Sequence, residues 1–98
     1  MIQKTYYKTK DYCKVKFSIQ PETAESVEIL GLNNEWDAPV AMTRKKDGSF
    51  AVEVNLPKNS EHEFKYRING SEWTTETEAD RQATNSFGSI NSVVVIEG

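Results

Sequence analysis

The sequence has little of the material from which disulfides, metal sites and membrane spans are made. Its 98 residues include one cysteine and one histidine, His62. A single cysteine cannot form an internal disulfide, which agrees with a reducing compartment. His62 has no second histidine or cysteine beside it, so a metal site is not expected. The longest apolar run, residues 93–96, is too short to cross a bilayer, so no membrane partner is expected.

A large excess of one charge is also missing. Twelve Lys and Arg side chains stand against 15 Asp and Glu, for a net charge of −3, so nothing draws the chain toward a phosphate backbone and nucleic acid is not an expected partner. The first twenty residues are interrupted by lysines and do not resemble a secretory signal. If the chain is complete, we expect it to be cytoplasmic. Its length fits one domain.

The sequence does contain the period-two alternation of half-buried β-strands. Apolar and polar side chains alternate strictly from residue 12 to residue 19 and again in two later segments, and a small buried role is the simplest one for the cysteine on the apolar parity. We therefore predict an N-terminal arm or edge segment over residues 1–11 and a β-sandwich domain over residues 12–98. The alternating apolar positions are Cys13, Val15, Phe17 and Ile19, then Phe50, Val52, Val54 and Leu56, then Phe64, Tyr66 and Ile68.

Turn signals separate these segments. Asp47–Gly48 and Asn69–Gly70 are typical of β-hairpins, and no helical period occurs anywhere. The residues from Thr74 to Phe87 lack a hydrophobic period and are predicted to form a long surface loop. The acidic residues in this loop lack the spacing of a calcium motif. Six to eight short strands of this kind predict an all-β, immunoglobulin-like antiparallel sandwich.

Two tryptophans stand out from this pattern. Trp36 follows three polar residues, where a large ring stays partly wet unless the core or a ligand covers it. The position of Trp73 depends on the length of the preceding loop. A two-residue loop pairs it with Tyr66, facing inward, whereas a three-residue loop or a bulge pairs it with Arg67, beside Lys65. The sequence leaves both arrangements open.

Three motifs occur in order along the chain: GLNNEWD at residues 31–37, HEFKYRINGSEW at 62–73 and NSFGSINSVVV at 85–95. Together they resemble carbohydrate-binding module family 48, the isoamylase early-set domain, which includes the glycogen-binding domain of the AMP-activated protein kinase beta subunit. The similarity covers residues 15–96 and is greatest to small stand-alone bacterial members. Leu32, where many members carry an aromatic residue, and Glu35 depart from the family pattern, and two residues separate Gly70 from Trp73 where the kinase domain has one.

The resemblance implies a non-catalytic, cofactor-free module that binds α-1,4-glucans such as glycogen, starch or maltodextrin. In the family, two tryptophans form a platform for the sugar, and a lysine, an asparagine, a loop hydrophobe and a hydroxyl assist them. Five of these positions also have a plainer structural role: the two tryptophans as core or loop-anchoring rings, the lysine as a solvated strand residue, the loop hydrophobe as a plug, and the asparagine as a turn cap or a partner of backbone groups. The positions carried over are Trp36, Lys65, Trp73, Phe87, Ser89 and Asn91.

The residues themselves also argue against catalysis. A glycosidase needs two carboxylates at a fixed separation across a cleft, and here the carboxylates lie mostly on the solvent parity of strands or in a loop. The alternative hypothesis is a protein-interaction or regulatory sandwich that has lost sugar binding and uses the tyrosine-bearing arm or a sheet edge. A glycogen-metabolising enzyme of glycoside hydrolase family 13 is the candidate protein partner.

Overall fold

The computed structural model describes all residues from Met1 to Gly98, and they form two antiparallel sheets packed face to face. One sheet has the strand order β1-β2-β6-β5. The other has the order β4-β3-β7-β10-β9, with β8 added to β7. The strands are β1 (Ile2–Tyr6), β2 (Tyr12–Ile19), β3 (Val27–Leu30), β4 (Val40–Ala41), β5 (Thr43–Arg44), β6 (Phe50–Pro57), β7 (Ser60–Ile68), β8 (Glu72–Thr74), β9 (Arg81–Thr84) and β10 (Ile90–Ile96).

The smaller sheet is built on the long pairing of β2 with β6, which runs from Tyr12 opposite Pro57 to Ile19 opposite Phe50. Their apolar positions coincide, so that Val15 faces Val54 across the ladder and both side chains point to the same side. The N-terminal segment adds β1 as an edge strand on β2.

The larger sheet is organised around β7, the nine-residue strand at its centre. β3 pairs with one edge of β7, where Leu30 lies opposite Lys65. β10 pairs with the first half of the other edge, and β8 continues along that edge from Tyr66 to Ile68. Alternate side chains of β7 therefore enter the core, and those between them line the outer face.

Aromatic rings join the two sheets. The ring of Phe17 from β2 meets that of Phe64 from β7 edge to face, with centroids 5.1 Å apart, and Phe64 meets Tyr66 in the same way at 5.8 Å. All three side chains are fully buried. Cys13 is buried in the same core, and burial raises the pKa of its thiol, as fits a small core residue.

The all-β sandwich predicted from the alternation is confirmed, but the structure has more strands than the six to eight expected. β4 and β5 have two residues each, too few to show a period. The segment predicted as one long loop from Thr74 to Phe87 contains β9, an edge strand whose four residues are mostly exposed. An edge strand that buries little leaves no hydrophobic pattern to detect. One further element is a short 3-10 turn, Leu32–Asn34.

The structure contains no helix with the length and apolar character needed to cross a membrane.

The packing of rings between the two sheets predicts that substitutions of two phenylalanines will change the free energy of unfolding by very different amounts. Phe64→Ala removes a fully buried ring and should lower the free energy of unfolding by about 3–5 kcal/mol, because the surrounding core cannot close the cavity. Phe87→Ala removes a ring that is 93% exposed and should change it by less than about 0.5 kcal/mol. Urea unfolding of both variants measures this, and equal losses would contradict the assignment of the core.

Candidate functional site

A groove of about 1060 Å³ lies on the outer face of the larger sheet. It runs across the outward side chains of β7 and β10, and the loops that follow β3 and β9 form its walls. The residues that line it are Gly31, Asn34, Trp36, Glu61, His62, Glu63, Lys65, Trp73, Arg81, Asn85, Phe87, Ser89, Asn91 and Val93. All six residues that the family resemblance marks are among them.

Trp36 reaches the groove because a glycine lies beneath its ring. Gly31 has φ 105, in the left-handed region, and starts the turn that leads from β3 to Trp36. A Cβ on this residue would lie 2.7 and 2.8 Å from the indole carbons Cζ2 and Cη2, and 2.4 Å from the carbonyl oxygen of Glu63. The indole thus packs directly across the backbone beside β7 and is half-buried, which leaves part of the ring open to a ligand.

The loop register places Trp73 on the outside of the sheet. Arg67 lies opposite Trp73 and Ile68 opposite Glu72, so residues 69–71 form a three-residue loop. Of the two arrangements that the sequence left open, the structure has the one with Trp73 beside Lys65. The side chain remains 47% exposed.

Arg67 holds one side of the Trp73 indole. Its guanidinium carbon lies 5.5 Å from the ring centroid, within cation–π range. The same guanidinium donates to Glu28 Oε1 on β3 through Nε at 3.0 Å and through a terminal nitrogen at 2.9 Å. Glu28 on the neighbouring strand therefore orients the Arg67 guanidinium, and the Trp73 indole packs against that guanidinium.

Ser89 connects Lys65 to the loop between β9 and β10. Its hydroxyl accepts from Lys65 Nζ at 3.2 Å and from Asn85 Nδ2 at 2.6 Å. Asn85 Oδ1 in turn accepts the backbone N–H groups of Phe87 and Ser89, at 2.9 and 3.1 Å. This Asx-type turn leaves the Phe87 ring at the loop tip, 93% exposed.

Asn91 lies at the floor of the groove, 5% exposed, and its Nδ2 donates to Glu63 Oε1 at 3.1 Å. The side-chain amide is therefore fixed by a charged neighbour on β7, and the turn-capping role considered for it is not the one the structure shows. A polar group held in this way is already oriented before any ligand arrives, so little further ordering is needed on binding.

The charges that line the groove balance. Glu61 and Glu63 provide two carboxylates, and Lys65 and Arg81 provide two cations, with Arg81 ion-paired to Glu61 at the far end. Such a surface does not favour a highly charged ligand of either sign, and its polar groups suit a neutral one with many hydroxyls. No group of three or more His, Cys, Asp or Glu side chains is placed to hold a metal ion.

His62 is buried beneath the turn that precedes Trp36. Its Nδ1 accepts the backbone N–H of Asn33 at 3.1 Å, and its Nε2 lies 2.8 Å from Ser60 Oγ. Burial lowers the pKa of His62 below its ordinary 6.5. The imidazole is therefore neutral around pH 7.

Several residues that line the groove or support it were not identified as site residues from the sequence. Glu63 and Arg67 share the parity of Lys65 on β7, so the alternation itself could have marked them as members of the same face. His62 was considered only as a metal ligand, and its contact with Asn33 spans 29 positions, a separation that no local pattern reveals. Glu61 and Arg81 meet only through the pairing of β7, β10 and β9.

Comparisons with known proteins identify the family and the fold. A family model described as the glycogen recognition site of AMP-activated protein kinase matches residues 14–98. The chain belongs to this family, whose members are carbohydrate-binding modules rather than catalytic domains. The search of curated proteins found no match.

A solved structure shares the fold. Pullulanase from Bacillus acidopullulyticus superposes with a TM-score of 0.61 over 97% of this chain, at 19% sequence identity. The match covers 12% of the pullulanase chain, so this protein corresponds in size to a small part of that enzyme.

The contact between Gly31 and Trp36 predicts a costly substitution. Gly31→Ala places a Cβ against the indole and a backbone oxygen, in a left-handed conformation that non-glycine residues adopt at a cost of about 1–2 kcal/mol. We expect the free energy of unfolding to fall by more than this strain alone, and the Trp36 emission to shift as its ring is displaced.

Gly48→Ala is the matched control, because Gly48 also has a positive φ but has no atom within 4 Å of an added Cβ. It should cost only the strain, about 1–2 kcal/mol, and leave tryptophan emission unchanged. Chemical denaturation and emission spectra compare the two variants. Equal losses of stability with unchanged spectra would show that Trp36 does not pack over Gly31.

Burial of neutral His62 predicts that stability depends on pH. Because its folded-state pKa lies below 6.5, the unfolded chain takes up the proton first as the pH falls. The contribution of neutral His62 to the free energy of unfolding is complete above about pH 6.5. It should decline as the pH drops through this value toward the lower pKa of the folded protein. Urea midpoints at about pH 7.5 and about pH 5.5 measure this, and the decline should be smaller in His62→Asn, which cannot titrate there.

Proposed function

We propose that this protein is a non-catalytic module that binds α-1,4-glucans such as glycogen, starch or maltodextrin in the groove on its larger sheet. The observation that carries the proposal is that six residues from four separate segments of the chain line one groove. These are the six residues that the family resemblance assigns to sugar binding. The residues proposed to contact the sugar are Trp36, Lys65, Trp73, Phe87, Ser89 and Asn91.

The chemistry of glucose matches these side chains. A pyranose ring has an apolar C–H face that can stack on an indole and a rim of hydroxyls that can donate or accept hydrogen bonds. Trp36 and Trp73 each keep part of the ring accessible, and the Lys65 ammonium and Asn91 amide lie in the groove with them. The balanced charge of the groove supports a neutral polysaccharide.

Binding in such a groove should be weak for each sugar unit, because the hydroxyls of a glucan must give up their own hydration. Two indoles and an exposed Phe87 give several stacking positions, which suits a ligand of several linked glucose units. We infer that the natural ligand is a polymer or a long oligosaccharide.

The proposed partner among proteins is a glycogen-metabolising enzyme. Support comes from the family, which is the glycogen recognition site of AMP-activated protein kinase, and from the fold shared with a segment of a pullulanase. A module that binds the polymer would keep such an enzyme at its substrate by raising the local concentration.

The test is a titration of tryptophan fluorescence with β-cyclodextrin and maltoheptaose, with cellohexaose as the control ligand. We expect saturable changes with the two α-glucans and none with the β-linked chain. Trp36→Ala and Trp73→Ala should each weaken binding by about tenfold or more, equivalent to about 1.4 kcal/mol, because each removes a stacking face. Isothermal calorimetry measures the variants, since their fluorescence differs.

A pair of lysine variants controls for general charge effects. Lys65→Met should weaken α-glucan binding, whereas Lys16→Met, on the exposed outer side of the smaller sheet, should leave it unchanged. A folded wild-type protein that responds to no sugar would overturn the proposal. The protein-interaction hypothesis, in which the tyrosine-bearing arm or a sheet edge contacts a partner, would then be favoured, and pull-down from the producing cells would test it.

A further inference from the structure

The only histidine of the chain has both ring nitrogens engaged in hydrogen bonds below the groove. His62 lies on β7, points inward and is 7% exposed. On one side it meets Asn33 in the turn after β3, and on the other it meets Ser60 on its own strand. Glu61 and Glu63, its neighbours in sequence, point to the opposite face of β7, so no carboxylate of its own strand serves as its partner.

The hydrogen bonds determine which nitrogen carries the proton. The Ser60 hydroxyl donates its only proton to the carbonyl oxygen of Pro57, at 2.5 Å. Toward His62 Nε2, 2.8 Å away, the Ser60 oxygen can therefore only accept, and Nε2 must be the protonated nitrogen. A neutral imidazole has one N–H, so Nδ1 is left as an acceptor for the backbone N–H of Asn33.

The turn that receives this bond adopts an unusual conformation. Asn33 and Asn34 have φ values of 57 and 60, a left-handed region that residues other than glycine rarely occupy. The other backbone hydrogen bonds of the turn are local: Asn34 donates to Gly31, Glu35 to Leu32, and Gly31 to Glu35. The bond to His62 ties the turn to the central strand of the sheet.

Trp36 follows this turn directly, and its ring packs across Gly31 at the beginning of the turn. Only two residues separate Asn33 from Trp36, so a change in the position of Asn33 would be passed directly to the indole. The contact between His62 Nδ1 and the Asn33 N–H thus lies between the rigid sheet and one of the two proposed stacking rings.

We infer that His62 is a positioning residue for the glucan site: its imidazole, protonated on Nε2, fixes the Asn33 turn and thereby holds Trp36 in the groove. This inference deepens the proposed function and rests on it for the effect on sugar binding. The positioning of Trp36 itself can be measured without any sugar.

Two amide substitutions separate the two nitrogens of the ring. In His62→Asn the amide oxygen can occupy the position of Nδ1 and accept from the Asn33 N–H. In His62→Gln the amide nitrogen can occupy the position of Nε2 and donate to Ser60 Oγ. His62→Leu removes both groups. These variants are made in a Trp73→Phe background, so that Trp36 is the only tryptophan and its emission and acrylamide quenching report its environment.

Without sugar, we expect His62→Asn to keep the emission maximum and quenching of the parent. His62→Gln and His62→Leu should shift the emission to longer wavelength and raise acrylamide quenching at least about twofold, because the ring becomes more exposed to water. With maltoheptaose, measured in the wild-type Trp73 background, the Asn variant should stay within about twofold of the parent affinity and the other two should lose at least about fivefold.

Nuclear magnetic resonance of the unmodified protein provides a test that does not depend on whether a variant folds. Correlations between ring protons and nitrogens should identify the Nε2–H tautomer of His62 at neutral pH, and the Asn33 amide should exchange slowly with solvent. An Nδ1–H tautomer, or a His62→Leu variant with unchanged Trp36 emission and quenching, would overturn the inference. Failure of all sugars to bind, with these sugar-free results as expected, would instead count against the proposed function alone.

Discussion

The contact on which the structure depends is the edge-to-face packing of Phe17 against Phe64, because it joins the two sheets at the centre of the core. It fixes the inward face of β7, the central strand of the larger sheet. Since side chains alternate along a strand, fixing one face also fixes the other. The outward series that includes Glu63, Lys65 and Arg67 therefore has a set position and spacing on the rigid sheet, and the groove is built on it.

The aromatic side chains of the groove are each supported by a different device. Trp36 packs over a glycine in a left-handed conformation, Trp73 rests on Arg67, and Phe87 is presented by an Asx-type turn. None of these devices uses the hydrophobic core directly. The turn orders only the backbone of Phe87, whose ring is 93% exposed, whereas the contacts of the two indoles restrict the rings themselves and so reduce the entropy that binding would have to overcome.

The polar groups of the groove are connected to one another by side-chain hydrogen bonds. Lys65 reaches Ser89, Ser89 reaches Asn85, and Asn91 reaches Glu63, so the side chains that would meet sugar hydroxyls are already oriented by one another. His62 extends this order beneath the surface to the turn before Trp36. The groove is therefore best understood as a preorganised surface with few free side chains, on a fold whose stability derives from the aromatic core.

The sequence by itself determined the fold class, because strict alternation in β2, β6 and β7 can bury apolar surface only in packed sheets. Its three motifs also indicated the six candidate site residues. It did not determine the face of Trp73, since one residue of loop length reverses the orientation of every later side chain, nor the edge strand β9, which buries too little to leave a pattern. The bond from Asn33 to His62 and the support of Trp73 by Arg67 and Glu28 were decided only by tertiary structure, because each joins groups from different segments of the chain whose proximity depends on how the sheet is paired.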